Sequence, residues 1–314
     1  MALPFPKTTY VYHRLKQRGN VPDETYVDLG ADVYLPYDSG EEVQAPEGGF
    51  PVFFLVHGGG FCIGDRDGFP VHEVQEALDR KWAVVTMDYP LSPAVKIVDM
   101  NHALQICNNS ASGYLTLASG FLFFPRPSAL ISFYPASRFD SPDMIRAYTT
   151  AQLTGGVPWP VVSDEIIDKV HADPTIYVST PFSDLLPRPE GAPPRHIQGD
   201  YLFRVCETGA HYINALGYDP RLPENKEKHD ALAPYFNVDA HYPPTALVHG
   251  TADEVASVFQ STCMAEALAA KNVAYDLILI DGAPHVFDYI IPSREAPGWK
   301  ESVGRAFDFA AKYV

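Results

Sequence analysis

Four features of this 314-residue chain have the residue types that nucleophilic catalysis requires. A histidine close to a serine can remove the serine proton, a carboxylate can orient the histidine, and backbone amides can stabilise the oxyanion that forms. The candidates, in chain order, are Gly58–Gly60, Ser110, Asp253 and His285. Each of them also has a purely structural interpretation.

The glycine run lies in the segment VHGGGF, which follows the apolar run PVFFLV directly. Three successive glycines reach backbone conformations closed to other residues and let amide groups approach a ligand without an intervening Cβ. An oxyanion hole is one interpretation, and a flexible loop or a phosphate-binding loop is another. The segment has neither Gly-x-Gly-x-x-Gly spacing nor a Gly-Lys-Ser/Thr ending, which argues against phosphate binding.

Asp253 and His285 each follow an apolar run, TALVHG and AYDLILI respectively. If these runs are parallel strands, both side chains lie at the carboxyl edge of the sheet, where active sites of open α/β sheets form. Taken alone, Asp253 also fits the N-cap of the helix predicted after it. Taken alone, His285 also fits an ordinary surface loop.

Apolar runs alternate with helical patterns, which predicts an α/β fold with a mostly parallel central sheet and helices on both faces. The first predicted strand, TYVDLGADVYLP, has the alternation of an exposed antiparallel strand. The predicted strands are 25–36, 51–56, 82–89, 103–107, 128–135, 245–250 and 274–280. The predicted helices are 70–81, 112–124, 254–272 and 299–313.

The pattern changes within residues 138–240, where prolines are frequent and only short helical pieces stand out. This region is predicted to be a helical lid inserted into a core formed by residues 1–137 and 241–314. Its aromatic side chains, which include Trp159 and Tyr201, indicate either an apolar substrate site or the core of the lid.

In chain order these segments resemble the hormone-sensitive-lipase-like branch of the α/β-hydrolase fold, a family of esterases. HGGGF is similar to its oxyanion loop, DYPLSP (88–93) to its Asp-Tyr-Arg-Leu-Ala-Pro segment, GTADE to its acid loop and GAPHVF to its histidine loop. The resemblance covers about residues 31–136 and 243–314.

The family's nucleophile pattern, Gly-Asp-Ser-Ala-Gly-Gly, corresponds here to NNSASG, residues 108–113. The resemblance makes Ser110 the nucleophile and Ala111 an oxyanion donor, in an elbow whose first and third glycines are replaced by Asn108 and Ser112. Those glycines normally let a strand and a helix pass close together. The alternative is that Asn109 and Ser110 only cap the following helix.

The connection into this stretch is short, with 14 residues from Tyr89 to His102. A crossover between parallel strands needs at least about 10–12 residues. Either its helix is reduced to a turn or two, or the strand before Ser110 is missing.

The resemblance implies a serine hydrolase that cleaves a carboxylic ester or a lactone of a small, largely apolar substrate. Ser110, Asp253 and His285 would be catalytic, and the oxyanion hole would comprise Gly58, Gly59, Gly60 and Ala111. The residues predicted to contact substrate are His57, Phe61, Trp159 and Tyr201. Two alternatives are a dehydratase or cyclase that uses His285 and the oxyanion loop, and a catalytically impaired ligand-binding protein.

Composition excludes several other classes. A formal charge of −16, with no run of Lys and Arg, argues against nucleic-acid binding. The four cysteines form no Cys-x-x-Cys pair, so neither a metal site nor a disulfide framework is predicted, and no cofactor is expected. No apolar run could span a membrane, and prolines interrupt the first residues, so a cytoplasmic protein is expected. A homodimer is kept as a candidate assembly.

Overall fold

The structure is a computed structural model that describes residues 3–38, 41–104, 112–154, 161–180 and 195–314. Of the predicted site residues, Ser110, Ala111 and Trp159 lie outside these ranges. The described strands are β1 Thr8–Lys16, β2 Tyr26–Tyr34, β3 Tyr37–Asp38, β4 Glu41–Glu42, β5 Val52–Val56, β6 Ala83–Met87, β7 Leu130–Phe133, β8 Thr245–Gly250 and β9 Tyr275–Ile280.

Two main sheets are present among the described residues. The first has the strand order β1-β2-β6-β5, in which only β5 and β6 are parallel. The second, β7-β8-β9, is parallel throughout. The predicted α/β class is therefore confirmed, but the described strands form two sheets rather than one central sheet.

Two strand predictions need correction. The structure adds β1, which pairs with β2 along nearly its whole length. Because that partner covers it, β2 is mostly buried in its second half rather than exposed.

The strand predicted at 103–107 is wrong at its start, because Ala103 and Leu104 end a helix, and residues 105–107 lie outside the described ranges. That helix, Ile97–Leu104, has apolar residues at helical spacing, and its Ile97 and Met100 are fully buried. Its eight residues agree with a crossover helix of about two turns.

Most helix predictions are confirmed in position. The helices of the two flanking parts are α1 Val71–Asp79, α2 Ile97–Leu104, α3 Ser112–Leu122, α9 Phe259–Ala270, α10 Phe287–Ile290 and α11 Arg305–Ala310. A π-helical turn, Lys300–Gly304, leads into α11. The part between β7 and β8 contains α4 Thr150–Thr154, α5 Glu165–Ala172, α6 Ile197–Glu207, α7 His211–Leu216 and α8 Lys226–Leu232.

Helices cover both faces of the sheets. On one face, α1 and α11 bury Val74, Leu78 and Phe307 against Leu55 and Val84 of the first sheet. The helices α3 and α9 cover the other face of the second sheet, burying Leu117, Met264 and Leu268 against Leu130 and Leu247. Each fully buried side chain of this size contributes about 1.5–3 kcal/mol to stability.

The helix α11 packs on both sheets. Its Phe307 ring lies 5.0 Å from the ring of Phe53 in β5 and stacks on Trp82 at 5.9 Å. Its Ala306 and Phe309 pack on Val248 and Ile278 of the second sheet. Among the described residues no backbone hydrogen bond joins the two sheets, so side-chain packing connects them there, and α11 contributes to it.

The first turn of α3 lies directly against the carboxyl end of β7. A Cβ on Gly113 would come within 2.4 Å of Pro135 Cα and 2.5 Å of the Phe133 carbonyl oxygen. The Ser132 hydroxyl group donates to the Gly113 carbonyl oxygen at 3.0 Å. Glycine at position 113 is therefore what allows this close approach of helix and strand.

Two buried carboxyl groups connect α1 with α10. Glu73 and Asp288 are both buried and influence each other's ionisation, and Asp288 accepts a hydrogen bond from the Tyr134 hydroxyl group at 2.8 Å. Burial, and then the negative charge of Asp288, raise the pKa of Glu73 well above its usual range. Burial also raises the pKa of Asp288, to about 6. The pair is therefore expected to keep one proton on Glu73 at neutral pH.

None of the helices in the described ranges is both long enough and apolar enough to cross a membrane.

Replacing Gly113 by alanine should destabilise the protein by about 3 kcal/mol, because the added methyl group overlaps backbone atoms that cannot rotate away. The measurement is urea denaturation followed by circular dichroism. Gly282→Ala is the control: it has open space around it and a positive φ, +67°, so only the backbone conformation opposes the methyl group and the cost should stay near about 1 kcal/mol. Equal stability of wild type and Gly113→Ala would contradict the described packing.

The Glu73–Asp288 pair predicts a pH dependence of stability. Glu73 is neutral in the folded protein and ionised when unfolded, so stability should fall as the pH rises above the usual glutamate pKa, by at most about 1.4 kcal/mol per pH unit. Glu73→Gln removes this dependence. The free energy of unfolding of Glu73→Gln minus that of wild type should therefore be larger at pH 8 than at pH 5 by more than about 1 kcal/mol, which means that the variant gains stability relative to wild type. Parallel pH profiles would contradict the prediction, and the exposed Glu266→Gln serves as the control.

Candidate active site

The glycine loop after β5 depends on conformations that only glycine adopts easily. Gly59 has a φ of +101° and Gly60 a φ of +58°. A Cβ on Gly59 would lie 2.1 Å from the Ile63 carbonyl oxygen, and a Cβ on Gly60 would lie 2.9 Å from Leu202 Cδ1. The loop is thus folded so tightly that no side chain fits at position 59.

Every carbonyl group from His57 to Gly60 accepts a hydrogen bond. The acceptor and donor pairs are His57 O with Tyr89 OH at 3.2 Å, Gly58 O with His57 Nδ1 at 2.8 Å, Gly59 O with Cys62 N at 3.0 Å and Ile63 N at 3.1 Å, and Gly60 O with His211 Nε2 at 2.7 Å. Because a peptide group is planar and trans, a fixed carbonyl fixes the next amide in the opposite direction. These five bonds therefore set the directions of the loop amides.

The amide groups of Gly59 and Gly60 donate no hydrogen bond within the part of the chain that the structure describes. Both residues line a large cavity, as do Gly58 and Phe61. Amides in this state are available to a ligand in the cavity, which is the property an oxyanion hole needs.

His57 lies beneath the glycine loop rather than on the cavity wall. It is fully buried, its ring stacks on Tyr89 with the ring centroids 4.2 Å apart, and burial lowers its pKa to about 4. The neutral ring carries its proton on Nδ1, because Nδ1 faces the Gly58 carbonyl oxygen. This placement indicates that His57 holds the loop, rather than contacting the substrate as predicted.

Asp253 and His285 are in direct contact. His285 Nδ1 lies 2.7 Å from Asp253 Oδ2, and the Asp253 side chain is fully buried. The other oxygen, Oδ1, accepts hydrogen bonds from the amides of Val255 and Ala256, both at 2.8 Å. The helix α9 begins only at Phe259, so Asp253 does not cap it. Its bonds hold the acid loop instead.

A second histidine, His249, shares the carboxylate. His249 Nε2 lies 3.3 Å from Asp253 Oδ2 and 2.9 Å from the Ala256 carbonyl oxygen. Both of those atoms are acceptors, so Nε2 carries the proton, and Nδ1 accepts from the Ser261 hydroxyl group at 2.7 Å. Burial alone would raise the pKa of Asp253, but the two histidines outweigh burial and hold that pKa below its usual value. Asp253 is therefore ionised.

The tautomer of His285 follows from this contact. Its Nδ1 donates to an ionised carboxylate, which leaves Nε2 as the nitrogen that can accept a proton. The ring packs on Tyr134 with the centroids 4.6 Å apart, it lines the cavity, and its side chain is 28% exposed. His285 is thus oriented and accessible, as a general base must be.

The cavity has a volume of about 1130 Å³. Its wall includes consecutive residues of both β5 and β7, so it runs along the facing edges of the two sheets. The glycine loop and His285 lie at the carboxyl ends of these sheets, and α4, α6 and α7 contribute Leu153, Leu202 and His211 to the wall. Whether these helices act as a lid stays a prediction.

The remaining predicted residues divide into two groups. Tyr201 is fully buried, and its hydroxyl group lies 3.0 Å from His171 Nε2, which favours packing over contact with substrate. Ser110, Ala111 and Trp159 fall outside the described residues, so their roles stay predictions.

Sequence reasoning missed three residues that the structure brings to the site. His249 ends the wholly buried run TALVHG, and an imidazole at the carboxyl end of a buried strand was a usable signal. His211 begins a helix 151 positions from the carbonyl group that it contacts, and Tyr134 reaches His285 from β7. No local pattern indicates either of these contacts. Within the described residues, no cluster of His, Cys, Asp and Glu could hold a metal ion.

A family model matches part of the chain. Residues 205–313 match the prolyl oligopeptidase family, a span that contains both Asp253 and His285.

Curated relatives with similar sequences are much longer proteins. A non-reducing polyketide synthase of Penicillium rubens is 23% identical over 92% of this chain, and one of Preussia isomera is 26% identical over 90%. The matched region is 13% of each synthase, so the chain spans about an eighth of the length of these relatives.

Solved structures have the same fold over nearly the whole chain. An α/β hydrolase superfamily protein from Enterococcus faecalis superposes with a TM-score of 0.59 at 17% identity, covering 91% of this chain and 95% of its own. Esterase 2 of Thermogutta terrifontis, phosphoramylated by tabun, has a TM-score of 0.56 at 15% identity, covering 99% and 96%. The alternation of strands and helices, the two-sided helix packing and these superpositions show that the chain has the α/β-hydrolase fold.

Proposed function

We propose that this protein is a serine hydrolase that cleaves a carboxylic ester or a lactone of a small, largely apolar substrate. The observation that carries the proposal is the 2.7 Å contact of His285 with Asp253, made beside a cavity that the Gly59 and Gly60 residues also line. An oriented base and available amides on one cavity are the requirements of acyl transfer.

Ser110 is the proposed nucleophile because the start of α3, which follows it in the chain, lies close to His285. Gly113, three residues later, packs on Phe133 and Pro135, and the intervening Tyr134 packs on His285. Three residues of extended chain span at most about 10 Å. The proposal therefore needs no displacement of α3 to bring Ser110 near the base.

In the proposed reaction the Ser110 oxygen attacks the substrate carbonyl carbon while its proton moves to His285 Nε2. The carbonyl oxygen becomes an oxyanion, which accepts hydrogen bonds from the Gly59 and Gly60 amides, and from Ala111 by the family resemblance. The carbon–oxygen bond to the alcohol then breaks, and His285 returns the proton to the departing alkoxide. Water repeats the cycle on the acyl enzyme and releases the acid.

A second candidate substrate is the thioester of a polyketide-type acyl chain. The relatives that match over about nine-tenths of this chain are polyketide synthases, and such enzymes carry their acyl intermediates as thioesters. The same residues would perform the reaction, with a thiolate as the leaving group. Hydrolysis of N-acetylcysteamine thioesters in preference to oxygen esters of the same acyl chain would favour this candidate.

Ser110→Ala should lower the turnover of short p-nitrophenyl esters by at least about 10³-fold and abolish labelling by a fluorophosphonate probe, because the variant lacks the attacking oxygen. His285→Ala should lose turnover to a similar degree. The neighbouring Ser119→Ala, in α3, is the control and should keep activity. Activity that survives Ser110→Ala but not His285→Ala would contradict the hydrolase and favour a dehydratase or cyclase.

Asp253→Asn should lower kcat by on the order of 10³–10⁴ with little change in KM, because an amide no longer fixes the base tautomer of His285. Asp281→Asn, an exposed substitution nearby in the same region, should leave kcat within about twofold of wild type. A KM effect alone in Asp253→Asn would remove Asp253 from the proposed triad.

A further inference from the structure

The helix α7 reaches the glycine loop through one imidazole group. His211 Nε2 lies 2.7 Å from the Gly60 carbonyl oxygen, and the His211 side chain is buried on the cavity wall. A carbonyl oxygen only accepts hydrogen bonds, so Nε2 carries the proton and donates it. Burial lowers the pKa of His211 and outweighs the effect of the carbonyl group, so the ring is neutral.

The donor of this bond lies further along the chain than the donor of any other bond to the loop carbonyl groups. His57, Cys62 and Ile63, which bind the Gly58 and Gly59 carbonyl groups, belong to the loop itself. The donor to Gly60 comes from a helix between β7 and β8, 151 residues further along the chain. The conformation at Gly60 therefore depends on where α7 lies.

Gly60 needs such a restraint because nothing in its own structure supplies one. Without a Cβ it can adopt positive and negative φ almost equally, and its φ here is +58°. A Cβ at this position would lie 3.0 Å from His211 Nε2 and 2.9 Å from Leu202 Cδ1. The two side chains, from α7 and α6, therefore enclose Gly60 closely on this side.

We propose that His211 is a positioning residue that holds the Gly60–Phe61 peptide, fixes the backbone angles at Gly60 and thereby keeps the Gly60 amide directed at the reacting carbonyl oxygen. The inference rests on the proposed hydrolase function. It couples the helical part between β7 and β8 to transition-state stabilisation, so a shift of α7 changes catalysis without any residue of α7 taking part in the chemistry.

The test compares His211→Phe with His211→Gln. Phenylalanine keeps an aromatic ring without a donor, so kcat should fall by about 10- to 100-fold, less than the loss of a whole oxyanion donor, while KM changes less than about threefold. Glutamine retains an N–H donor and should recover part of that loss. Affinity for a trifluoromethyl ketone, whose adduct carries an oxyanion, should fall in proportion to kcat/KM.

His229→Phe is the matched control. His229 is also buried in the helical part, but its ring faces Asp230 and Phe236. Its replacement should lower the melting temperature and leave kcat within about twofold of wild type. A loss of kcat in His229→Phe equal to that in His211→Phe would show a general effect of destabilisation and would overturn the inference.

A second measurement is independent of activity. Amide hydrogen exchange at Cys62 and Ile63, whose amides donate to the Gly59 carbonyl oxygen, should be at least about tenfold faster in His211→Phe than in wild type, because the loop loses a fixed bond and opens more often. Unchanged exchange, or a raised KM at unchanged kcat, would overturn the positioning role. If the wild type neither hydrolyses esters nor binds the fluorophosphonate, the proposed function fails, and the exchange measurement still decides whether His211 fixes the loop.

Discussion

The planarity of the peptide group is the constraint on which this site depends. Each carbonyl group from His57 to Gly60 is bound on one side, so the amides between them point to the other side. Glycine alone cannot produce this order, because it adopts many conformations with similar energy. The hydrogen bonds to its carbonyl groups therefore shape the loop. Its Gly59 and Gly60 amides, which donate no such bond to the described residues, are available to a ligand.

The proposed acid and base are also positioned by their hydrogen bonds. Asp253 uses one oxygen for two amides of its own loop and the other for two imidazoles. His249 is the buried partner, with both ring nitrogens bound inside the protein. His285 is the partner on the cavity wall. One carboxylate thus fixes a structural histidine and an accessible histidine, and their different surroundings give them different roles.

Sequence reasoning predicted the α/β class, most elements and the pairing of Asp253 with His285, because chain order and strand ends are local information. It missed β1, whose side chains are mostly exposed and whose strand is defined mainly by its partner β2. It placed a strand at Ala103, which instead continues α2 after the buried Ile97 and Met100. It assigned His57 and Tyr201 to the substrate, because a residue type near a motif does not reveal which way its side chain faces. The contact of His211 with Gly60 joins distant segments, and no periodicity in the sequence encodes it.

The helix α11 has a consequence for how the two halves of the candidate site are held relative to each other. The glycine loop follows a strand of the first sheet, and Asp253 and His285 follow strands of the second. Phe307 of α11 packs on the first sheet, and Ala306 and Phe309 pack on the second. One short helix outside the proposed chemistry thus links the element that carries the proposed oxyanion donors to the elements that carry the proposed acid and base.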